Sequence, residues 1–348
     1  MSTYILKRLL LMIPTLLIIL LINFMVIQLA PGGPVEQAIY QAQQVNGLTH
    51  TGLQYQGQQG LTPEMIEQIN IQYGFDQPAH IRFWDMLRRY AQFDLGTSFF
   101  KDKAVTDLIW EKLPVSLSLG LWSTLIIYLV SIPLGIGKAR KHGSVFDQIT
   151  SLMLAVGYAI PAFIFAILLI VFFAGGSFLQ WFPLQGLSSE NFAELSFFGK
   201  IQDYFWHMAL PLLAMVLGGF ASLTYLVKFS FVEELSKQYV LAARAKGLNE
   251  NAVLYRHVFR NAMLVLIAGL PEVLIGVFFV GNLFIEIIFN LDGLGVLGFE
   301  AIIQRDYPVI FGTLFIFTLL GLILRLLSDL LYQLIDPRIH FSSRRGSS

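Results

Sequence analysis

The sequence lacks cysteine altogether and has few charged residues. Without a thiol, the chain can form neither a disulfide bond nor a cysteine nucleophile. Charged residues make up only 13% of the 348 residues, whereas soluble domains usually carry about 25%. The 23 basic residues are balanced by 23 acidic ones, so no excess positive charge draws the chain towards nucleic acid. These shortages exclude a disulfide scaffold, a disordered chain and a nucleic-acid-binding domain.

Apolar residues are abundant instead, and they lie in long runs. Hydrophobic residues account for 55% of the sequence, and 30 residues are Phe. A helix needs roughly 20 mostly apolar residues to cross a membrane, and six stretches nearly free of charge meet this length. They lie at 9–35, 113–137, 149–173, 204–227, 261–285 and 307–331. The chain is therefore predicted to be an all-α polytopic membrane protein with six transmembrane helices.

The first run could alternatively be a cleaved signal peptide, because Lys7 and Arg8 precede it. Its 27 residues without a charge exceed the about 7–15 apolar residues of such a peptide. We therefore interpret it as a transmembrane helix. Proline falls inside five of the six runs and Pro308 opens the sixth, which predicts a bundle of kinked helices.

The basic residues lie mostly on one side of the predicted bundle. Fourteen of the 23 Lys and Arg residues fall in the N-terminus, the second and fourth loops and the tail. Short cytoplasmic loops are enriched in Lys and Arg, so both termini are predicted to be cytoplasmic. We divide the chain into an N-terminus with the first helix (1–35), a periplasmic segment (36–112), a five-helix core (113–331) and a cytoplasmic tail (332–348). The core carries a cytoplasmic loop at 228–262.

The 36–112 segment has two parts. Residues 41–60 are rich in Gln and Gly and contain no charge, so we expect a flexible insertion. Beyond it, a helix is predicted from Thr62 to Gly74, and a second helix from His80 to Phe93. These helices could pack as a cap on the bundle or dock an external partner, and the residues alone leave both possibilities open.

The loop at 228–262 is predicted to form two short helices around a glycine. The first spans 233–246 and ends at Gly247; Asn249 caps the second, which spans 250–262. Three small residues of the first helix would let a partner approach closely; they are Ala242, Ala243 and Ala245. The pattern fits either a rigid lever that contacts a partner or an ordinary basic loop.

This loop also resembles a known motif. Residues 238–248, QYVLAARAKGL, followed by 257–262, HVFRNA, look like the EAA loop of binding-protein-dependent ABC importer permeases. The run RAKG is typical of the dipeptide/oligopeptide branch. Similar blocks occur in order along the chain, at 30–34 (APGGP), 94–98 (DLGTS), 305–308 (RDYP) and 336–338 (DPR). Within that branch, runs such as GLWSTLIIY at 120–128 are most similar to permeases of the Yej type.

The resemblance implies a type I importer permease with a MetI-like fold and a helical periplasmic insertion after the first span. Such a subunit, in the inner membrane, pairs with a second homologous permease, with ABC ATPase subunits and with a periplasmic peptide-binding protein. It imports peptides, and Yej-type systems also take up the antibiotic microcin C. The chain contains no G-x-x-x-x-G-K-[ST] motif, so ATP and Mg²⁺ are expected on the ATPase and no cofactor or metal on this subunit. The resemblance predicts a transport subunit that is not itself an enzyme.

The resemblance and the loop pattern supply the candidate site residues. An ATPase-coupling role is predicted for Tyr239, Ala242, Ala243, Arg244, Ala245, Lys246, Gly247, Arg256 and Asn261. Glu272 and Asn282 are candidates for the translocation path, because polar groups within a span should face a cavity or a partner. Two departures from the family pattern are Leu241 at its first acidic position and the insertion at 41–60.

Two other classes of membrane protein compete with this interpretation. A secondary transporter driven by an ion gradient would need several acidic or His relays, and Glu272 is the only acidic residue in the middle of a span. A membrane-anchored enzyme would need a site in the long outer segment, which lacks both H-E-x-x-H and G-x-S-x-G.

Overall fold

A computed structural model describes residues 2–29, 71, 76–175, 178–279 and 283–335. Within these ranges the chain is helical apart from turns and one isolated bridge between Thr97 and Ala104. The predicted insertion at 41–60, the predicted helix from Thr62 to Gly74, Asn282 and the tail from 336 onwards lie outside the described residues.

Twelve helical elements are named here in chain order. They are α1 (Ser2–Leu29), α2 (Ala79–Tyr90), α3 (Val105–Arg140), α4 (Val145–Ala159), α5 (Ala162–Phe173), α6 (Phe197–Leu235), α7 (Gln238–Ala245), α8 (Glu250–Ala252), α9 (Phe259–Phe279), α10 (Leu283–Ile288), α11 (Leu294–Gln304) and α12 (Tyr307–Ile335). A π-helical stretch, Val253–Val258, joins α8 to α9.

The all-α membrane fold expected from the sequence is confirmed. Five helices among the described residues are long and apolar enough to cross a membrane, and α4 with α5 makes a sixth span if the bent pair counts as one. This pair was predicted as one helix at 149–173, but it bends by 92°. The bend lies at Ile160 and Pro161, because the residue before a proline avoids the α conformation, and Ile160 has an extended ψ of 117°.

The chain divides into two compact units, and the first comprises residues in 1–112 and 297–323. Aromatic side chains hold this unit together. Phe24 of α1 lies 5.1 Å from Phe83 of α2 and 5.7 Å from Phe311 of α12, measured between ring centroids. Tyr90 at the end of α2 contacts Phe315 of α12 at 5.0 Å. The helix predicted at 80–93 is thus present as α2, and it ends at Tyr90.

The second unit comprises residues in 113–296 and 324–348, and its core consists of apolar side chains between long helices. Gly120 of α3 lies so close to α9 that a Cβ atom there would come within 3.0 Å of backbone atoms of Val277. Gly135 of α3 similarly faces Val227 of α6. Glycine therefore sets how closely α3 packs against its neighbours.

Adding a methyl group at Gly120 should force α3 and α9 apart. We expect Gly120→Ala to lower stability by about 1–3 kcal/mol, because the obstructing atoms belong to the backbone and cannot rotate away. Gly218→Ala is the matched control, since a Cβ at Gly218 meets nothing within 4 Å, and alanine favours a helix by about 0.5–1 kcal/mol. Thermal unfolding in detergent measures both, and equal midpoints for the two variants would contradict the packing argument.

Candidate functional site

The loop at 228–262 begins as a continuation of a membrane helix. Helix α6 runs to Leu235, and α7 starts at Gln238 after a short break. The helix predicted at 233–246 is therefore wrong at its start. At the break the Ser236 hydroxyl donates to the Glu233 carbonyl at 2.7 Å, and Lys237 is extended with ψ 151°. Serine favours such local bonds to the backbone over the helical ladder, which explains where α6 ends.

The turn after α7 was predicted correctly from local chemistry. Gly247 has a φ of +83°, which glycine adopts without strain, and its N–H donates to the Arg244 carbonyl at 2.9 Å. Asn249 caps the next helix, because its side-chain oxygen accepts from the Ala252 N–H at 2.7 Å. The loop thus reverses direction at a fixed place.

Two faces of α7 differ sharply. Val240 and Ala243 are buried in an apolar cluster with Phe231 of α6 and with Val253 and Val258 of the π-helical stretch. The opposite face is exposed. It consists of Leu241, Ala242, Arg244, Ala245 and Lys246, followed by Gly247. Of the three alanines predicted to face a partner, Ala243 instead faces the bundle, because it lies on the same side of α7 as Val240.

Glu234 fixes α7 to the bundle. Its carboxylate accepts from the Tyr239 hydroxyl at 2.6 Å and from the Asn261 side-chain amide at 3.1 Å, and it pairs with the Lys237 ammonium at 2.6 Å. Burial and the hydrogen bond to Glu234 raise the pKa of Tyr239, and the same carboxylate raises the pKa of Lys237. The predicted residues Tyr239 and Asn261 therefore meet at one carboxylate.

Glu234 was not predicted from the sequence, although a signal for it exists. It is an acidic residue at the end of an apolar helix, and it precedes a loop in which basic residues predominate. Its partner Asn261 lies 27 residues further along the chain, so no local pattern connects the two.

The predicted basic residues have different surroundings. Arg244 donates from Nε and Nη2 to the two carboxylate oxygens of Glu250, at 2.9 and 3.0 Å, and so braces α7 against α8. Lys246 and Arg256 are exposed. The exposed surface near Gly247 therefore presents small side chains beside positive charge.

A buried ionic cluster lies where the loop leaves the membrane helices. The Asp147 carboxylate of α4 is within 3.0 Å of the Lys138 ammonium of α3 and 2.8 Å of the Lys228 ammonium of α6. Lys138 also donates to the Thr150 and Ser151 hydroxyls at 2.7 and 2.8 Å. From the sequence, both lysines counted only as loop charges, yet Lys138 is fully buried. This cluster, found only in the structure, ties three helices together.

The structure describes one of the two residues predicted to line the translocation path. Glu272 is exposed on α9, and Asn282 lies outside the described residues. Within the part of the chain that the structure covers, no group of three His, Cys, Asp or Glu side chains could hold a metal ion.

Removing the charge of Asp147 should destabilise this unit strongly. We expect Asp147→Asn to lose about 3–5 kcal/mol, because two buried ammonium groups would lose their anion. Glu233→Gln is the control, since that side chain is 77% exposed and 3.8 Å from Lys237; its loss should stay within about 0.5 kcal/mol. Thermal unfolding of the purified proteins measures both changes. A midpoint for Asp147→Asn as high as that of the control would refute the role of the cluster.

Comparison with known proteins agrees with this architecture. The family model "Binding-protein-dependent transport system inner membrane component" matches residues 131–341. Two similar proteins are the peptidoglycan transport system permease protein YejB of Agrobacterium fabrum (strain C58), 54% identical, and the inner membrane ABC transporter permease protein YejB of Escherichia coli O157:H7, 55% identical. Each match covers 99% of this chain and 100% of the relative.

Two matches are more distant. The oligopeptide transport system permease protein AppB of Bacillus subtilis (strain 168) is 33% identical over 98% of this chain and 100% of its own length. The solved MetNI methionine ABC transporter, in inward-facing conformations, is 16% identical with a TM-score of 0.49, over 66% of this chain and 97% of that chain. None of these matches supports a secondary transporter. The chain belongs to the family of binding-protein-dependent transport system inner membrane components, the non-enzymatic permease subunits that work in the membrane with a separate ATPase and a substrate-binding protein.

Proposed function

We propose that this chain carries peptides across the inner membrane into the cytoplasm as one half of a heterodimeric permease. The names of the relatives support a peptide substrate: they include a peptidoglycan transport protein and an oligopeptide transport protein. Peptides released from peptidoglycan and peptide-like antibiotics such as microcin C belong to the same chemical class. The second half would be a homologous permease, and a periplasmic peptide-binding protein would deliver the substrate.

The loop at 228–262 is the proposed contact with the ATPase. The observation that carries this proposal is the division of α7 into two faces, one buried in the bundle and one exposed with small residues. Because Ala242 and Ala245 are small, a groove on the ATPase could approach the backbone of α7 closely. Lys246 and Arg256 would pair with acidic groups on that partner, while ATP and Mg²⁺ would bind the ATPase itself.

The movement would pass into the membrane through rigid connections. Glu234 bonds both Tyr239 of α7 and Asn261 of α9, so a displacement of α7 acts on α6 and α9 together. ATP can drive transport only if its binding and hydrolysis favour one of two arrangements of these helices. Glu272 of α9 and Asn282 are the proposed contacts with substrate along the path.

The proposed orientation places the N- and C-termini and the 228–262 loop in the cytoplasm. The basic residues of the short loops support it, because cytoplasmic segments retain Lys and Arg. The ATPase would then meet α7 from the side on which ATP is available.

Uptake by cells tests the substrate. We expect cells with the intact gene to accumulate a labelled peptide mixture, and cells without the gene to lose that accumulation. Depleting ATP while maintaining the proton gradient should abolish the gene-dependent part, because the energy comes from the ATPase. Gene-dependent uptake that follows the proton gradient instead would contradict the proposal, and so would gene-dependent uptake of metal chelates without peptides.

A bulky residue at Gly247 tests the coupling role. We expect Gly247→Val to lower peptide uptake about tenfold while the assembled complex still hydrolyses ATP, because valine is strained at a φ of +83° and shifts the turn beside α7. Gly186→Val is the matched control: Gly186 has a φ of +80° in a turn outside this loop. Normal uptake by Gly247→Val, or an equal loss in both variants, would show that the turn has no special part in coupling.

A further inference from the structure

The first unit contains a cavity of about 730 Å³ that plays no part in the proposed coupling. Helix α1 contributes Phe24, the α2 helix contributes several arginines, and the start of α12 contributes Tyr307 and Phe311. This volume falls in the range of sites that hold small organic molecules. The cavity is large enough to take a polar headgroup with part of its apolar chains.

The position of the cavity in the chain places it at a membrane surface. One apolar span ends at Leu29, and another begins at Tyr307. Gln28 and Tyr307, which both line the cavity, lie at these two span ends. The ends of apolar spans lie at the boundary between hydrocarbon and water. The cavity is therefore level with phospholipid headgroups.

The lining has the chemistry of a site for an anion with an apolar body. Among the described residues of the lining, Arg82, Arg88 and Arg89 contribute three positive charges and Asp85 one negative charge. The Arg82 guanidinium is held in place by the Gln28 side chain, to which Nη2 donates at 2.9 Å. Guanidinium groups bind phosphate oxygens through paired, charge-assisted hydrogen bonds. The aromatic rings of Phe24 and Phe311 supply the apolar wall.

The outer face of α2 gives a second, independent indication. Met86 and Tyr90 face inwards, whereas Ile81 and Trp84 on the other side are 41% and 69% exposed. A short helix with one buried face, exposed Trp and Ile, and arginines along its flank is typical of helices that lie in a membrane interface. A soluble anion would need neither this exposed apolar face nor the aromatic wall.

We propose that the cavity between α1, α2 and the start of α12 binds the phosphate headgroup of an anionic membrane phospholipid. The arginines bind the phosphate, the aromatic wall contacts the upper part of the acyl chains, and Trp84 anchors α2 in the surrounding headgroups. The proposal depends on the membrane location of the chain and does not depend on peptide being the transported substrate.

Photo-crosslinking of a lipid tests the proposal on the protein as purified from membranes with its co-purifying subunits. Photoactivatable phosphatidylglycerol should label peptides from 24–28, 82–99 or 307–311. The double variant Arg88→Gln/Arg89→Gln should reduce labelling about tenfold or more, because two charge-assisted bonds to phosphate are lost. Arg140→Gln is the matched control: it removes one exposed arginine from the end of α3, away from the cavity-lining residues, and should leave labelling unchanged.

A variant that should bind more lipid distinguishes loss of the site from misfolding of the protein. Asp85→Asn removes a negative charge from the described lining residues and should increase labelling, which a damaged protein would not do. Equal labelling of wild type, the double arginine variant and Asp85→Asn would overturn the proposal. Equally strong labelling by zwitterionic phosphatidylcholine would overturn the choice of an anionic lipid.

Competition with the lipid probe distinguishes a lipid headgroup from a soluble phosphate and from a peptide carboxylate. Inorganic phosphate or glycerol phosphate at millimolar concentration should fail to displace the lipid, because neither carries the apolar part. Complete displacement by inorganic phosphate would instead assign the cavity to a soluble phosphate. Displacement by short peptides with a free carboxylate would assign it to substrate, and either result would refute the lipid assignment. The lipid assignment does not depend on the transported substrate, so it would stand even if cells carrying this gene failed to take up peptides.

Discussion

The base of the 228–262 loop depends on the buried carboxylate of Asp147. Charged groups are expensive within a membrane bundle unless a partner neutralises them. Here one carboxylate lies between the ammonium groups of Lys138 and Lys228, and the Lys138 ammonium also donates hydrogen bonds to two hydroxyls and a backbone carbonyl of α4. Helices α3, α4 and α6 are thereby fixed at the point where the chain leaves the bundle. The coupling role proposed for this loop would need such a fixed base.

Helix α7 of this loop packs against the bundle on one face and is exposed on the opposite face. The apolar cluster that contains Val240 and Ala243 continues into α3, α6 and α9, so α7 shares its core with membrane helices. Glu234 adds three directional bonds to the same attachment. The exposed face of α7 therefore carries none of these contacts, so the proposed docking of an ATPase on that face would leave the attachment of α7 intact.

The sequence alone predicts features that depend on local chemistry and on apolar length. The spans follow from hydrophobic run length, and the turn at Gly247 and the cap at Asn249 follow from residue types that have few alternatives there. Proline in the run at 149–173 predicted a kink there, but the size of the bend, 92°, was not predicted, because a sharply bent pair and a mildly kinked helix have the same apolar composition. The ionic cluster of Lys138, Asp147 and Lys228 was not predicted, for a different reason. Lys228 is 81 residues from Asp147, and charge counting cannot show which distant groups meet.

The π-helical stretch at Val253–Val258 has a consequence for how α9 can move. A π-helix has i→i+5 hydrogen bonds in place of i→i+4, so each of its hydrogen-bonded turns contains one residue more than a turn of α-helix, and this extra residue lies within the 228–262 loop, just before α9. If the i→i+5 bonds migrate along the helix, each residue they pass turns by about 100° relative to the others. Such a migration would rotate part of α9 about its own axis through an exchange of hydrogen bonds.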